Sequence, residues 1–252
     1  MSPVRGRYQG TLQILRYNLP FYLSTTGAAA LALAAVLAGA APASLRLPLV
    51  VFVAATSLLT ASSLLVSHYV YDRSLLFRWD WLRSSIDPPG RFIVLHAGLD
   101  EASPALRQLY PSAAVDVLDI YDPVEMPEAS IRRARHLTPL PEPARPASYD
   151  ALPIADGAAD LVVLFFVAHE LRRAAARERL FVEVGRTLRP GGRLVLVEHL
   201  RDLPNLLAFG PGFLHFLPRH EWLRLAGAAR LAVREERRIT PFVRAFFLER
   251  TS

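Results

Sequence analysis

The chain has 252 residues, 52% of them hydrophobic, and a formal charge of +6 at pH 7; this suffices for one ordinary domain with an appendage and excludes disorder as its main state. It contains no cysteine, which removes disulfides, thiolate metal sites and a cysteine nucleophile, and all 29 of its basic Lys+Arg residues are arginine, which removes Schiff-base chemistry and lysine-dependent phosphate loops. The arginines are spread along the chain without a basic block, so no nucleic-acid partner is expected.

No charged residue lies between Arg16 and Arg46, and none lies between Arg46 and Asp72 apart from the nominally neutral His68. Each gap exceeds the roughly 20 residues a helix needs to cross the hydrocarbon layer. Residues 1–72 are therefore predicted to form a two-helix transmembrane hairpin. Its first span is centred on Gly27 to Ala41, its second runs from Leu47 to Val70, and Pro42 and Pro48 bracket a turn holding Arg46. Tyr17, Phe21 and Tyr22, with Tyr69, Tyr71, Phe77, Trp79 and Trp81, are expected to form aromatic belts on one side. Arg5, Arg7 and Arg16 before the hairpin and Arg73, Arg78 and Arg83 after it outnumber the single arginine of the turn, which puts both ends and the body of the protein on the cytoplasmic side of the inner membrane. Arg5, Arg7 and the small residues Ala38, Gly39 and Ala40 also resemble a cleaved leader, but the second apolar run behind them acts as a stop-transfer segment. A pair of buried core helices is the soluble alternative. Residues 73–90 read as a juxtamembrane linker.

From Arg91 onward, short apolar strands alternate with helical patterns, the signature of a parallel sheet with helices on both faces. Strands are expected at 91–96, 114–120, 161–167 and 193–198, with closing strands near 232–239 and 242–248. Helices are expected near 104–110, 128–135, 174–188 and 221–229, the third stopped by Arg189, Pro190, Gly191 and Gly192. The proline-rich passage from Thr138 to Pro146 breaks regular structure. In open α/β sheets, ligands sit outside the carboxyl ends of the strands, which points to the turn from His96 to Glu101 and to Asp119. A carboxylate at Asp119 suits both hydroxyls of a ribose, and Ile120 and Tyr121 would form a wall beside it.

The run Leu152-Pro153-Ile154-Ala155-Asp156, followed by Asp160-Leu161-Val162-Val163, a helix with Leu180, Glu183 and Arg186, and Leu188-Arg189-Pro190-Gly191-Gly192, resembles the central and late motifs of class I S-adenosylmethionine-dependent methyltransferases. It is most similar to the branch of ubiquinone and menaquinone C-methyltransferases and lipid methyltransferases, over roughly Pro89 to Arg250. The resemblance implies a Rossmann-like class I methyltransferase sheet over 91–252 and S-adenosyl-L-methionine as cofactor. It also implies cofactor contacts from His96, Ala97, Gly98, Asp100, Asp119, Ile120, Leu152 and Phe166. The family carries an acidic residue and a G-x-G-x-G turn after the first strand, whereas here the turn reads His96-Ala97-Gly98-Leu99-Asp100-Glu101-Ala102 and only Gly98 remains. Asp100 would either repel the cofactor's carboxylate or contact its sulfonium or amino group. Three outcomes stay open: an altered pose of the same cofactor, a different small ligand, or a retained fold without catalysis.

His169 and Glu170 follow one strand, and Glu198, His199, Arg201 and Asp202 follow the next. His169 and His199 are the candidate bases for removing an acceptor proton. The structural alternatives are a His169–Glu170 pair that orients the next helix and a Glu198–Arg201 ion pair. Asn205 to His220 is too apolar for an ordinary solvated loop and reads as a lid or a bilayer-facing surface. The spacing of His199, His215 and His220, with Asp202 nearby, matches no standard ligand pattern, so no metal is expected. The expectation is a membrane-anchored, cytoplasm-facing methyltransferase whose partners are the bilayer and a hydrophobic small-molecule acceptor: a quinone, an isoprenoid or a lipid. An inactive membrane-bound binding module of the same fold is the alternative.

Overall fold

The structure, a computed structural model, describes residues 6–138, 140 and 144–251. Arg5 and part of the proline-rich passage lie outside the described residues. Three helices open the chain: α1 (Gln9–Tyr17), α2 (Leu19–Leu37) and α3 (Ala43–His68). At 1.5 Å per residue, α2 and α3 span about 28 and 39 Å. Both are long and apolar enough to cross a membrane, with mean hydropathy 1.5 over Leu19–Leu37 and 2.2 within Ala43–Arg78. Their outward side chains are bare: Leu31, Leu47, Leu58 and Leu65 are all exposed.

The turn between α2 and α3 falls earlier than the prolines suggest. It occupies residues 38–42, with Gly39 at φ +69°, and Pro42 caps α3. Arg46 and Pro48 lie within α3, where the Arg46 Nε donates to the Ala41 carbonyl across the turn at 3.1 Å. A proline this near a helix start leaves a carbonyl unmatched without breaking the helix.

Residues 73–90 are no slack linker. A short helix α4 (Asp80–Arg83) and the turn before it bury Leu76, Trp79 and Leu82 almost completely. These side chains pack with Phe92, Val94, Phe165 and Phe247 on one face of the sheet. Trp79 therefore belongs to the core rather than to an interfacial belt, and Tyr17 and Tyr22 are buried too; Phe21 and Tyr69 remain exposed.

The sheet comprises β1 (Arg91–His96), β2 (Ala114–Asp119), β3 (Arg145–Pro146), β4 (Ala159–Phe165), β5 (Leu188–His199), β6 (Leu231–Thr240) and β7 (Val243–Arg250). Helices α5 (Ser103–Leu109), α6 (Ala129–Leu137), α7 (Ala174–Thr187), α8 (Leu203–Phe209) and α9 (Arg219–Ala228) connect them. The strand order is β3-β2-β1-β4-β5-β7-β6. The first five strands are parallel, but β7 runs antiparallel to β5 and β6, so the sheet is mixed rather than wholly parallel. The reason is the tight β6–β7 connection, which admits only antiparallel pairing. The apolar runs of β1, β4 and β5 are buried on both faces, as an interior strand requires. The order reverses between β1 and β4, which sets the ligand crevice at their carboxyl ends.

Candidate functional site

Over those carboxyl ends lies a cavity of about 830 Å³. One wall is the sheet edge and its following turns, with Ala97, Phe166, His169 and His199. The other is made by the N-terminal helices, through Tyr17, Tyr22, Leu59 and Ser63. The Asn205–His220 stretch closes a third side with Phe209, His215 and Phe216, held to α3 by a 3.2 Å hydrogen bond from Ser62 Oγ to the Leu207 carbonyl. Its other side chains Leu206, Leu207 and Leu214 are exposed and continue the bare apolar surface of α3. The stretch is thus lid on one side and apolar surface on the other.

Both candidate bases line the cavity, in opposite charge states. His169 is buried, with Nδ1 2.6 Å from Glu198 Oε2 and Nε2 3.5 Å from Glu170 Oε1. Burial alone would lower its pKa, but the combined Glu198 and Glu170 carboxylates outweigh burial and push it up to about 10. As an imidazolium it has no lone pair to offer a substrate proton. His199 is sandwiched between Phe166 and Phe216, with ring centroids 5.0 and 4.8 Å away. Burial, reinforced by the positive charge of His169, pulls its pKa down to about 4. Its Nδ1–H donates to the Phe242 carbonyl at 2.9 Å, which leaves Nε2 to accept from the Tyr71 hydroxyl at 2.8 Å. Phe166 holds its place at φ +51°, a strained conformation for a bulky residue, of the kind that accumulates at functional sites.

The expected Glu198–Arg201 pair does not form. Glu198 is spent on His169 and on the Ala168 and His169 amides, while Arg201 donates to the carbonyls of Leu214 and Phe216.

The residues expected at the cofactor are only partly together. Ala97 and Phe166 line the cavity. Ile120 and Leu152 point into the hydrophobic core. Asp100 faces neither sulfonium nor carboxylate: it caps α5, accepting from the Ala102 and Ser103 amides at 3.1 and 2.8 Å and from the Ser103 hydroxyl. Gly98 adopts φ +115°, which only glycine tolerates, and donates its N–H to His96 Nδ1 at 3.0 Å. His96 and Asp119 lie side by side in register at the ends of β1 and β2.

Two observations bear on whether S-adenosylmethionine fits here. In favour, His96 Nε2 is buried without a hydrogen-bond partner beside the Asp119 carboxylate, so a donor and an acceptor stand ready for a polar ligand. Against, the Arg135 side chain already occupies that crevice. It pairs with Asp119 at 2.9 Å, covers the Tyr121 ring at 4.2 Å, and its Cγ would stand 2.2 Å from a Cβ at Gly98. The donor set suits the cofactor; the space beside Asp119 opens only when Arg135 leaves.

Residues 104–196 match the family described as Methyltransferase domain. Among solved structures, human N-acetylserotonin methyltransferase, determined in complex with S-adenosylmethionine, superimposes with TM-score 0.58 at 15% identity, covering 96% of this chain and 71% of its own. The PH0226 protein of Pyrococcus horikoshii gives 0.53 at 16% identity over 70% and 89%. An O-methyltransferase family 2 protein of Planctomyces limnophilus, in complex with apigenin, gives 0.51 at 12% identity over 77% and 61%. No curated protein matches the chain. The structural likenesses show the fold of class I methyltransferases, and together with the domain match they support methyl transfer with S-adenosyl-L-methionine as the cofactor.

Proposed function

We propose that the chain is a membrane-anchored S-adenosylmethionine-dependent methyltransferase that takes a lipid-soluble acceptor, of quinone, isoprenoid or lipid type, from the cytoplasmic leaflet of the inner membrane. One observation carries this reading: the cavity above the sheet is walled on one side by the two helices long and apolar enough to span a bilayer. An acceptor dissolved in the membrane then reaches the site along α2 and α3 without crossing water, and anchoring raises its local concentration.

The bound cofactor supplies an electrophilic methyl group. Asp119, once freed from Arg135, would hold the ribose hydroxyls, and His96 Nε2 would donate a further hydrogen bond. Neutral His199 takes the acceptor proton on Nε2, in place of the Tyr71 hydrogen bond, and Phe166 and Phe216 fix the plane of its ring. His169, an imidazolium while no metal is bound, orients Glu170 and Glu198. Exclusion of water by Phe209, Pro211 and Phe216 and alignment of the acceptor contribute the larger part of the rate.

The test is reconstitution of the full chain in proteoliposomes with methyl-labelled S-adenosylmethionine. Label should enter the organic phase when bacterial quinones and lipids are present and stay out of water-soluble phenols; equal labelling of both would remove the membrane-substrate reading. A second reading, a binding module without catalysis, is favoured by the one observation that Arg135 fills the crevice. Calorimetric titration in detergent separates the two, because the module would bind neither S-adenosylmethionine nor S-adenosylhomocysteine.

A further inference from the structure

Two separate turns bring nitrogen and oxygen ligands to one point on the cavity wall. The turn after β4 (Ala168–Glu170) supplies His169 and Glu170, and the turn Gly210–His215 supplies His215. Glu170 Oε1 lies 3.5 Å from His169 Nε2 and 4.0 Å from His215 Nε2, and one ligand atom from each residue falls within 4.8 Å of the others. Each imidazole has a carboxylate at its remaining nitrogen: Glu198 at 2.6 Å from His169 Nδ1, and Glu128 at 3.7 Å from His215 Nδ1. The Glu198 carboxylate fixes the tautomer of His169 that presents its Nε2 lone pair to a metal, while Glu128, too distant for a hydrogen bond, adds only its negative charge near His215. Glu170 Oε2 is buried and has no hydrogen-bond partner, which is costly for a carboxylate unless something else satisfies it.

We propose that His169, Glu170 and His215 bind one divalent transition-metal ion of the zinc type on the wall of the cavity, with its remaining coordination positions open to the cavity. Two imidazoles and one carboxylate form a borderline donor set that suits zinc, cobalt or ferrous iron, whereas magnesium and calcium prefer oxygen throughout. Three protein ligands with an open position are the pattern of ions that bind substrate rather than merely brace a fold. Metal–ligand bonds of roughly 2.0–2.2 Å put tetrahedral ligand atoms about 3.3–3.6 Å apart, so the Glu170 contacts at 3.5 and 4.0 Å are already near that spacing and the two imidazoles, within 4.8 Å, draw together by side-chain rotation. The local charge is suitable as well. Glu128, Glu170 and Glu198 stand around the point, and Arg172 Nη1 donates chiefly to the His215 carbonyl at 2.9 Å, with His215 Nδ1 at 3.5 Å. Metal entry displaces the proton that His169 otherwise shares with Glu170. This site extends beyond the methyl-transfer reading and does not depend on it. His199, His220 and Asp202, the residues that the sequence spacing brings to mind, take no part in it.

The experiment uses the full chain in detergent, stripped with a chelator and titrated separately with Co²⁺ and Zn²⁺. One Co²⁺ per chain, with the visible absorption of a low-symmetry site and displacement by Zn²⁺, is expected. His215→Ala and Glu170→Gln should each weaken binding at least tenfold, and Glu198→Gln, which leaves all three ligands in place, by roughly 10–100-fold. Thermal unfolding of each variant is recorded alongside. Because Glu198 is fully buried and its variant is prone to unfold, His215→Ala on the more exposed turn decides the matter. Absence of stoichiometric binding, or binding unchanged in folded His215→Ala and Glu170→Gln, overturns the site. S-adenosylmethionine titration of the same metal-free samples keeps failure of the metal site distinct from failure of the methyltransferase reading.

Discussion

One guanidinium nitrogen of Arg135 lies 2.9 Å from each carboxylate oxygen of Asp119, so the residue best placed to hold a ribose is already held by the protein itself. Cofactor binding must break this pair and lift the guanidinium from the Tyr121 ring. Both partners are partly solvated, which keeps the pair and the ring contact together at about 1–2 kcal/mol. Arg135→Ala is therefore expected to tighten S-adenosylmethionine binding by roughly 5–30-fold, and Asp119→Ala to abolish it, both read by calorimetric titration. Weaker binding in Arg135→Ala would mean that the arginine helps to hold the ligand.

Gly98 reports on the same crevice from the other side. Alanine there suffers twice: the backbone sits at φ +115°, and the new methyl would press on Arg135 Cγ at 2.2 Å. Gly98→Ala should destabilise the protein by about 1–3 kcal/mol. Adding Arg135→Ala relieves the contact but not the backbone strain, so the double variant should recover only part of the loss. A chemical-denaturation cycle with a coupling near zero would show that the arginine does not pack there in solution.

How far the sequence could be read follows from the range of each interaction. The unbroken apolar runs of β1, β4 and β5, and the Arg189-Pro190-Gly191-Gly192 stop after α7, are local signals, and the strands and helices fall close to where these put them. The Arg135–Asp119 pair was not legible. Arg132, Arg133 and Arg135 share one short helix, and nothing local says which of them turns into the crevice. The same holds for residues 73–90, whose leucine and tryptophan spacing fits an interfacial belt as well as a core, until the sheet face that receives them is known. His215 joined the site only because the apolar stretch folds back over the sheet. A chain separation of 46 residues from His169 hides that meeting from any spacing rule.

Asp72, at the foot of α3, docks α1 onto the domain. Its carboxylate accepts from the Gly10 and Thr11 amides at 2.6 and 3.0 Å and from the Thr11 hydroxyl at 2.5 Å, an end-cap supplied from a distant part of the chain. Since α1 contributes Ile14 and Tyr17 to the cavity wall, its docking keeps the site closed. Asp72→Ala strands these donors and should cost about 1–3 kcal/mol locally. Faster tryptic cleavage after Arg16 in detergent, with little change in the global unfolding midpoint, is the expected result. Unchanged cleavage would place the closure of α1 elsewhere.

His199 makes the site sensitive to acid. Burial and the like charge of His169 favour its neutral ring, and they outweigh the Phe242 carbonyl and Asn205 at Nδ1, whose hydrogen bonds favour the charged form. The folded pKa, about 4, lies below the unfolded value of 6.5. The unfolded chain therefore binds the proton first, and stability present above pH 6.5 drains away as the pH falls towards 4, by about 3 kcal/mol at most. His199→Asn removes this titration: it should lower the melting temperature at pH 8 but flatten its decline between pH 6.5 and 4 relative to the parent. If histidine proton resonances assigned through His199→Asn shifted with a midpoint near 6.5, the ring would be solvated, and the acid-dependent loss of stability would not arise from it.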